Sequence, residues 1–185
     1  MCGIAGIISN KTINSKDWLK NTSLMMTHRG PDDYGEWWSS SNNVGFVHRR
    51  LSIIDLSMAG RQPMTDSSGD YTITFNGEIY NYSFLREKLS KLKYRFHTNS
   101  DTEVIILAYK HWGSDCVNHL TGMFAFAIYD KNNDEVFLAR DRIGEKPLHY
   151  TLIDKILYFS SELKPLLKIK NNNKIINIDA FNTYL

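Results

Sequence analysis

Short apolar runs rich in β-branched and aromatic residues recur along the chain, and each one is bounded by Gly, Asn, Asp or Ser. Such runs are typical of β-strands, because these side chains fit a pleated, half-buried surface and the bounding residues favour turns. The polar segment DKNND at 130–134 joins two of the runs and is predicted to form a hairpin turn. We predict eight strands, at residues 2–8, 44–49, 51–55, 71–75, 122–129, 135–139, 148–153 and 156–159.

Three segments between these runs have the helical spacing of apolar residues, at 17–27, 83–92 and 102–112. Asp101 directly precedes the third segment, and its side chain is predicted to cap that helix. Helices grouped between antiparallel strands indicate an α+β domain and not a doubly wound parallel sheet.

A fourth helix is predicted at 178–185, and the chain stops inside it with apolar residues that need a partner surface. We therefore expect residues 1–185 to be the N-terminal part of a longer protein. The alternative is a last helix that packs on its own domain.

Composition and charge exclude several classes of protein. The 185 residues are 42% hydrophobic, which suffices for one globular domain with a substantial core. Lys and Arg total 22 against 20 Asp and Glu, so the formal charge of +2 offers no basic surface for nucleic acid or an anionic membrane. The apolar runs are far shorter than the roughly 20 residues that span a bilayer, and no basic segment precedes the apolar N-terminus. We expect a cytosolic protein with neither nucleic acid nor membrane as a partner.

The two cysteines, Cys2 and Cys116, have no CxxC spacing and no clustered histidines around them, which argues against a zinc site and a disulfide scaffold. A bridge between them would remove the thiol of Cys2. Two interpretations of Cys2 stay open: a small apolar residue in a first buried strand, or an N-terminal nucleophile after loss of Met1. In the second, its own α-amine serves as the base, since the pKa of such an amine is about 7.7–8.0 against roughly 8.5 for the thiol.

Two further segments could supply binding groups to such a nucleophile. RGPDD at 29–33 holds an arginine beside two acids in a Gly-Pro turn, and it is otherwise an ordinary charged turn. HRRLSIID at 48–55 places Arg49 and Arg50 at the junction of two predicted strands, where alternation lets only one of them face a given site. That arginine either binds a carboxylate in bidentate fashion or lies on a surface edge.

Two more segments could stabilise charge. FNGEIYN at 75–81 leads from a strand into Asn76 and Gly77 before a helix, where a side-chain amide and a backbone amide can form an oxyanion hole; a hairpin turn is the alternative. SDTE at 100–103 either holds the Asp101 carboxylate for an ammonium group or is only a helix cap. Together these groups match a substrate with an amino-acid head and an acyl group to transfer.

The chain resembles the glutaminase domain of class II glutamine amidotransferases, which are N-terminal-nucleophile hydrolases, and in particular that of glutamine-hydrolysing asparagine synthetases. The resemblance covers nearly all 185 residues, and RGPD and GEIYN favour this branch over relatives that act on sugar phosphates or purine precursors. It rests on MCGIAG at 1–6, RGPD at 29–32, HRRLSIID at 48–55, FNGEIYN at 75–81, SDTE at 100–103, GMFAFA at 122–127, ARDRIGEKPL at 139–148 and SSELK at 160–164.

The resemblance implies a fold and a set of site residues. The fold is a four-layer αββα sandwich of two antiparallel sheets. Cys2 would attack the side-chain amide of glutamine, and Asn76 and Gly77 would stabilise the oxyanion. The implied substrate-binding residues are Arg50 for the α-carboxylate, Asp101 with Glu78 for the α-ammonium group, and the backbone near Ile53 and Ile54.

The resemblance also implies partners. Ammonia would pass to a C-terminal synthetase domain of the same polypeptide, which amidates aspartate with ATP and magnesium. No SGGxDS-type pyrophosphate loop occurs here, so we expect no cofactor in residues 1–185. While Met1 is attached the amine is acylated, and that species should be an inactive precursor. Two alternative functions stay open: the same domain serving another acceptor, such as a uronic-acid sugar of a surface polysaccharide, and a non-catalytic interaction module. The oligomeric state, including a homodimer, also stays open.

Overall fold

Two antiparallel sheets form the centre of the molecule in the computed structural model, which describes residues 2–51 and 60–170 together with 178 and 183. The first sheet has the strand order β2-β3-β1-β9-β8 and the second β4-β5-β6-β7. The strands are β1 (Gly3–Ser9), β2 (Asp33–Trp38), β3 (Val44–Arg50), β4 (Met64–Thr65), β5 (Tyr71–Ile79), β6 (Gly122–Asp130), β7 (Glu135–Arg140), β8 (His149–Ile153) and β9 (Ile156–Ser160).

Helices cover the outer face of each sheet, so the layers run helix, sheet, sheet, helix. The first sheet carries α1 and the short α4, which touch where Trp18 Nε1 donates to the Pro165 carbonyl at 3.4 Å. The second sheet carries α2 and α3, and a 3-10 helix at Gly113–Asn118 follows α3. The α+β four-layer sandwich of two antiparallel sheets is therefore confirmed. The helices are α1 (Asp17–Met25), α2 (Tyr82–Lys91), α3 (Asp101–Trp112) and α4 (Leu163–Leu167).

The two sheets pack face to face through a buried apolar layer, because alternate residues of each strand point between them. Phe46 and Phe159 meet there with ring centroids 5.8 Å apart in an edge-on arrangement. Gly6 of β1 makes room for both rings, since a Cβ at this position would overlap Phe159 and approach Phe46 closely. The buried members of this layer are Ile4, Val44, Phe46, Ala125, Ala127, Tyr129 and Phe159.

Seven of the eight predicted strands are present, and the hairpin at 130–134 joins β6 to β7 with Asp130 opposite Glu135. The predicted strand 51–55 lies outside the described residues except for Leu51, which is not in a strand. Two strands, β2 and β4, were not predicted. β2 is an edge strand of mixed polarity, and its Gly35 lies so close to Gln62 that a Cβ would overlap the Gln62 carbonyl oxygen.

One predicted strand is longer than its sequence indicates. β5 continues through Asn76 and Gly77 to Ile79, pairing with β6 so that Asn76 lies opposite Ala125 and Gly77 opposite Phe124. The prediction that Asn76 and Gly77 end the strand is therefore wrong. The pairing with β6 overrides the local turn preference of Asn-Gly.

The helix predictions differ from the structure at their ends. Asp101 is the first residue of α3 and not its cap; Ser100 is the cap, and its side chain accepts a hydrogen bond from the Thr102 amide. The predicted helix 178–185 lies outside the described residues except at Ile178 and Thr183, and α4 was not predicted. In the described ranges, no helix is both long and apolar enough to cross a membrane.

We predict that Phe159→Ala lowers the free energy of unfolding by about 3–5 kcal/mol, because it removes a fully buried ring from between the sheets. Tyr150 is the cross-strand partner of Phe159 but is 72% exposed, so Tyr150→Ala should change it by no more than about 0.5 kcal/mol. Urea unfolding followed by circular dichroism measures both. Equal losses in the two variants would contradict this account of the core.

Candidate active site

Cys2 directly precedes β1 at one end of the sandwich. In the β1–β3 pair Gly3 lies opposite Arg49, and the same register continued by one residue sets Cys2 opposite Arg50. Cys2 is half-buried, its thiol is free, and Sγ lies 3.8 Å from the Leu51 carbonyl oxygen. The thiol therefore lies at the mouth of the space between the sheets.

A cavity of about 340 Å³ opens at this end of the sandwich, and Cys2 is part of its wall. The structure brings every predicted site residue that it describes to this one cavity. Ile53 and Ile54 lie outside the described residues. The predicted residues that line the cavity are Cys2, Arg50, Asn76, Gly77, Glu78 and Asp101.

The two adjacent arginines of β3 face opposite sides, as strand alternation predicts. Arg49 points to the helix layer, where its Nε donates to the carbonyl and the hydroxyl of Ser23 at 3.0 and 2.8 Å, and it stacks over Tyr34. Arg50 is buried and lines the cavity. Arg50 is therefore the arginine of this pair that a ligand of the cavity could contact.

Asn76 presents a donor that the protein leaves unused. Its residue is 2% exposed, and its Nδ2 is a buried atom without a hydrogen-bond partner. A buried amide in this state costs free energy, because it has given up water and received nothing in exchange. Such a group in a cavity wall is suited to donate to a ligand oxygen.

The backbone amide of Gly77 faces the same region. N–H groups alternate along a strand, and the amides of Phe75 and Ile79 both point away from β6, donating to Gln62 Oε1 at 2.6 Å and to Asp101 Oδ2 at 3.1 Å. The Gly77 amide lies between them and points the same way. Only glycine fits at this position, because a Cβ would overlap the carbonyl oxygen of Met123.

Two carboxylates lie at the Ile79 end of the cavity. Burial is the main cause that raises the pKa of Asp101, and the negative charge of Glu78 raises it further; amide donors, including that of Ile79, act in the opposite direction. Like charges held together in this way favour a bound cation. This end of the cavity can therefore receive an ammonium group.

Gln62 is a site residue that the sequence analysis missed. It is buried and lines the cavity, its Oε1 accepts from the Phe75 amide at 2.6 Å, and its Nε2 donates to Thr102 Oγ1 at 3.2 Å. Gln62 thus ties the edge of β5 to the start of α3. No sequence signal marks it, because its role depends on contacts with Phe75 and Thr102, which are 13 and 40 residues away in the chain.

His48 begins the HRRLSIID motif, but no function was predicted for it from the sequence. It is 1% exposed, and its Nε2–H donates to the Phe75 carbonyl at 3.1 Å. Burial lowers its pKa from 6.5 to about 4, and the neighbouring Arg50 charge acts in the same direction. His48 is therefore neutral near pH 7 and links β3 to β5 beside the cavity.

The RGPD segment supports the site from behind. Arg29 Nε donates to the Cys2 carbonyl at 3.0 Å, and Glu162 Oε1 lies 3.5 Å from Arg29 Nη1. Gly30 packs against the backbone of β3, where a Cβ would overlap the peptide between Arg49 and Arg50. The segment thus holds the backbone of Cys2 and of Arg50 opposite it. Across residues 2–51 and 60–170, no cluster of His, Cys, Asp and Glu could hold a metal ion.

We predict that His48 makes the fold acid-sensitive between pH 6.5 and about 4. The folded state keeps this imidazole neutral while the unfolded chain protonates it, so the unfolded state binds more protons and stability falls as the pH falls. From pH 7 to pH 5 this loss is about 2 kcal/mol. His48→Gln should remove that part of the pH dependence of urea unfolding, whereas an equal decline in wild type and variant would contradict the prediction.

Comparison with known proteins assigns the family. The family model described as "Glutamine amidotransferase domain" matches residues 1–185. The chain is 43% identical over 179 residues to asparagine synthetase [glutamine-hydrolyzing] 1 of Bacillus subtilis, covering 95% of this chain and 28% of that protein. It is 39% identical over 178 residues to amidase chry2 of Gibberella zeae, covering 90% of this chain and 26% of that protein. The chain thus spans less than a third of the length of either relative.

A solved structure shares the fold. Glutamine phosphoribosylpyrophosphate amidotransferase from B. subtilis superposes with a TM-score of 0.74 at 20% identity, over 89% of this chain and 43% of that one. The resemblance found in the sequence motifs is thereby confirmed at the level of family and fold. The chain belongs to the glutamine amidotransferase domain family, with the fold of the N-terminal-nucleophile hydrolases.

Proposed function

We propose that this domain hydrolyses glutamine to glutamate and ammonia, with Cys2 as the nucleophile once Met1 is removed. The observation that carries this proposal is the buried, unpartnered Nδ2 of Asn76 in the wall of the cavity that Cys2 lines. The Gly77 amide faces the same region, so two donors are available to an oxygen that gains negative charge. Preorganised donors of this kind stabilise tetrahedral intermediates of acyl transfer.

The charges around the cavity match the head group of an amino acid. In this proposal Arg50 binds the α-carboxylate, and Asp101 with Glu78 binds the α-ammonium group; all three residues line the cavity. The side chain of a bound glutamine would then extend toward Cys2 and Asn76. The backbone near Ile53 and Ile54 remains part of this proposal as a further contact.

The reaction proceeds in two steps. The α-amine of Cys2 takes the thiol proton, the thiolate adds to the γ-carbonyl, and the oxyanion is held by Asn76 Nδ2 and the Gly77 amide. The C–N bond breaks, and the amide nitrogen takes the proton from the amine and leaves as ammonia. Water then adds to the γ-glutamyl thioester, the C–S bond breaks, and glutamate and the free thiol are released.

The fate of the ammonia extends the proposal to a longer protein. The B. subtilis relative is named an asparagine synthetase and is more than three times as long as the matched region. We propose that ammonia passes to a C-terminal synthetase domain of the same polypeptide, which amidates aspartate with ATP and magnesium in the cytosol. The names of the relatives reported above give no support to a uronic-acid sugar as the acceptor.

Intact mass after treatment with a diazoketone analogue of glutamine tests the proposal. The expected result is a protein that lacks Met1 and carries one adduct, located on Cys2 by peptide mapping. Cys116 is the internal control, because it is buried and its pKa is raised to about 12 by burial, so it should stay unmodified. A folded, Met1-free protein without an adduct would instead support the non-catalytic interaction module.

We predict that Asn76→Ala lowers kcat for glutamine hydrolysis by about 10²–10³-fold, because one oxyanion donor is lost. The free energy of unfolding should change little, because Nδ2 of Asn76 makes no hydrogen bond in the free protein. A glutaminase assay with ammonia detection measures the first quantity, and urea unfolding measures the second.

Asn81 provides the matched control. It lies just after β5 and outside the cavity wall; its Nδ2 donates to the His119 carbonyl at 2.9 Å, and its Oδ1 accepts from the Thr121 amide at 3.0 Å. Asn81→Ala should lower the free energy of unfolding by about 1–3 kcal/mol and keep most of the activity. Near wild-type turnover in Asn76→Ala would refute the assigned role of that residue.

A further inference from the structure

The loop between β7 and β8 belongs to the ARDRIGEKPL segment and is tied to β6 by one side chain. Asp141 Oδ2 accepts from the amides of Phe124 and Lys146 at 3.2 and 2.9 Å, and its Oδ1 accepts from the Glu145 amide at 2.7 Å. These donors lower the pKa of Asp141 despite its burial, so the carboxylate stays charged. The ionised carboxylate of Asp141, at the start of the loop, therefore ties Glu145 and Lys146 to β6.

Arg140 holds the same loop from the other side. Its Nε donates to the Lys146 carbonyl at 2.7 Å, and its Nη2 donates to the Gly144 carbonyl at 2.6 Å. The anchor on β6 is Phe124, which lies directly opposite Gly77 in the β5–β6 pair. The loop thus sets the backbone of Lys146 at a fixed position relative to the oxyanion donors.

Lys146 is a largely buried lysine for which the described residues provide no ion-pair partner. It is 7% exposed and lines the cavity together with Cys2. Its ammonium group makes no hydrogen bond or ion pair with any residue in the ranges 2–51 and 60–170. A lysine in a cavity wall without a described protein acceptor is suited to bind an anionic group of a ligand.

The position of Lys146 identifies the end of the ligand that it faces. Asp101 binds the outer edge of β5 through the Ile79 amide, whereas the loop carrying Lys146 is attached to β6, on the opposite side of β5. Asn76 and Gly77 therefore lie between the two. The head group occupies the Asp101 end, so we expect Lys146 to meet the far end of the ligand, which carries the γ-carbonyl group.

Negative charge appears on the oxygen bound to the γ-carbon only during the reaction. The carboxamide of glutamine is neutral, the tetrahedral intermediate carries an oxyanion, and hydrolysis of the thioester releases a γ-carboxyl that loses its proton to water. We propose that Lys146 binds the γ-carboxylate of glutamate, so that the cavity distinguishes the product from the substrate by charge. This inference rests on the proposed function.

The test measures binding without turnover, in the Cys2→Ala variant of the whole chain. Isothermal titration calorimetry at pH 7.5 gives the dissociation constants of glutamine and glutamate with and without Lys146→Met. The ratio Kd(glutamine)/Kd(glutamate) should fall about tenfold or more in Lys146→Met, because only glutamate loses a charged contact. Lys146→Arg, which keeps the charge, should hold the ratio within about threefold of the parent.

Each outcome decides the inference. Retained glutamine binding shows that Lys146→Met has a folded cavity, and an unchanged ratio there would overturn the inference while leaving the proposed function intact. Equal loss of both ligands would also overturn it, because a role at the reacting end requires selective loss. If the parent Cys2→Ala protein binds neither amino acid, the proposed function itself fails.

Discussion

The short length of β4 is the constraint on which the site depends. β4 pairs with β5 only at Ile73 and Thr72, so no backbone among the described residues pairs with the outer edge of β5 beyond them. Buried amides must nevertheless find acceptors. Gln62 and Asp101 provide them for Phe75 and Ile79, and each of these side chains also helps to form the cavity. The amide between them, that of Gly77, is left for a ligand, so the proposed oxyanion site is a gap in a sheet edge.

Strand alternation then determines which side chains surround that gap. Even-numbered residues of β5 face the other sheet, which directs Asn76 and Glu78 toward the space between the sheets, while Phe75 and Ile79 pack against the helices. The β1–β3 register sets Cys2 opposite Arg50 in the same space. A shift of one residue in either pairing would turn these groups outward, so the hydrophobic layer between the sheets also specifies the site.

The sequence was sufficient for the features that depend on local pattern and motif order, and insufficient for those that depend on distant contacts. The apolar runs predicted seven of the strands, and the motifs identified six residues that line one cavity. The local preference of Asn-Gly misplaced the end of β5, because pairing with β6 outweighs it. Gln62 and His48 were missed, since each acts on β5 from a remote part of the chain. The sequence allowed Asp101 to cap α3 as well as to bind a ligand, and the adjacent Ser100 performs the capping role.

The contact between Arg29 and Cys2 bears on how the proposed nucleophile would mature. Arg29 Nε donates to the Cys2 carbonyl, which belongs to the peptide with Gly3 and is untouched when the bond to Met1 is cut. Glu162 lies next to the same guanidinium, and Ser161 Oγ accepts from the Ile4 amide at 3.0 Å. The segment after β9 therefore contacts the start of β1 directly, through Ser161, and also contacts Arg29, which binds the Cys2 carbonyl. These contacts hold the backbone at the start of β1 and do not use the bond between Met1 and Cys2. In the proposed mechanism, removal of Met1 converts the amine of Cys2 from an acylated nitrogen into a base beside the thiol.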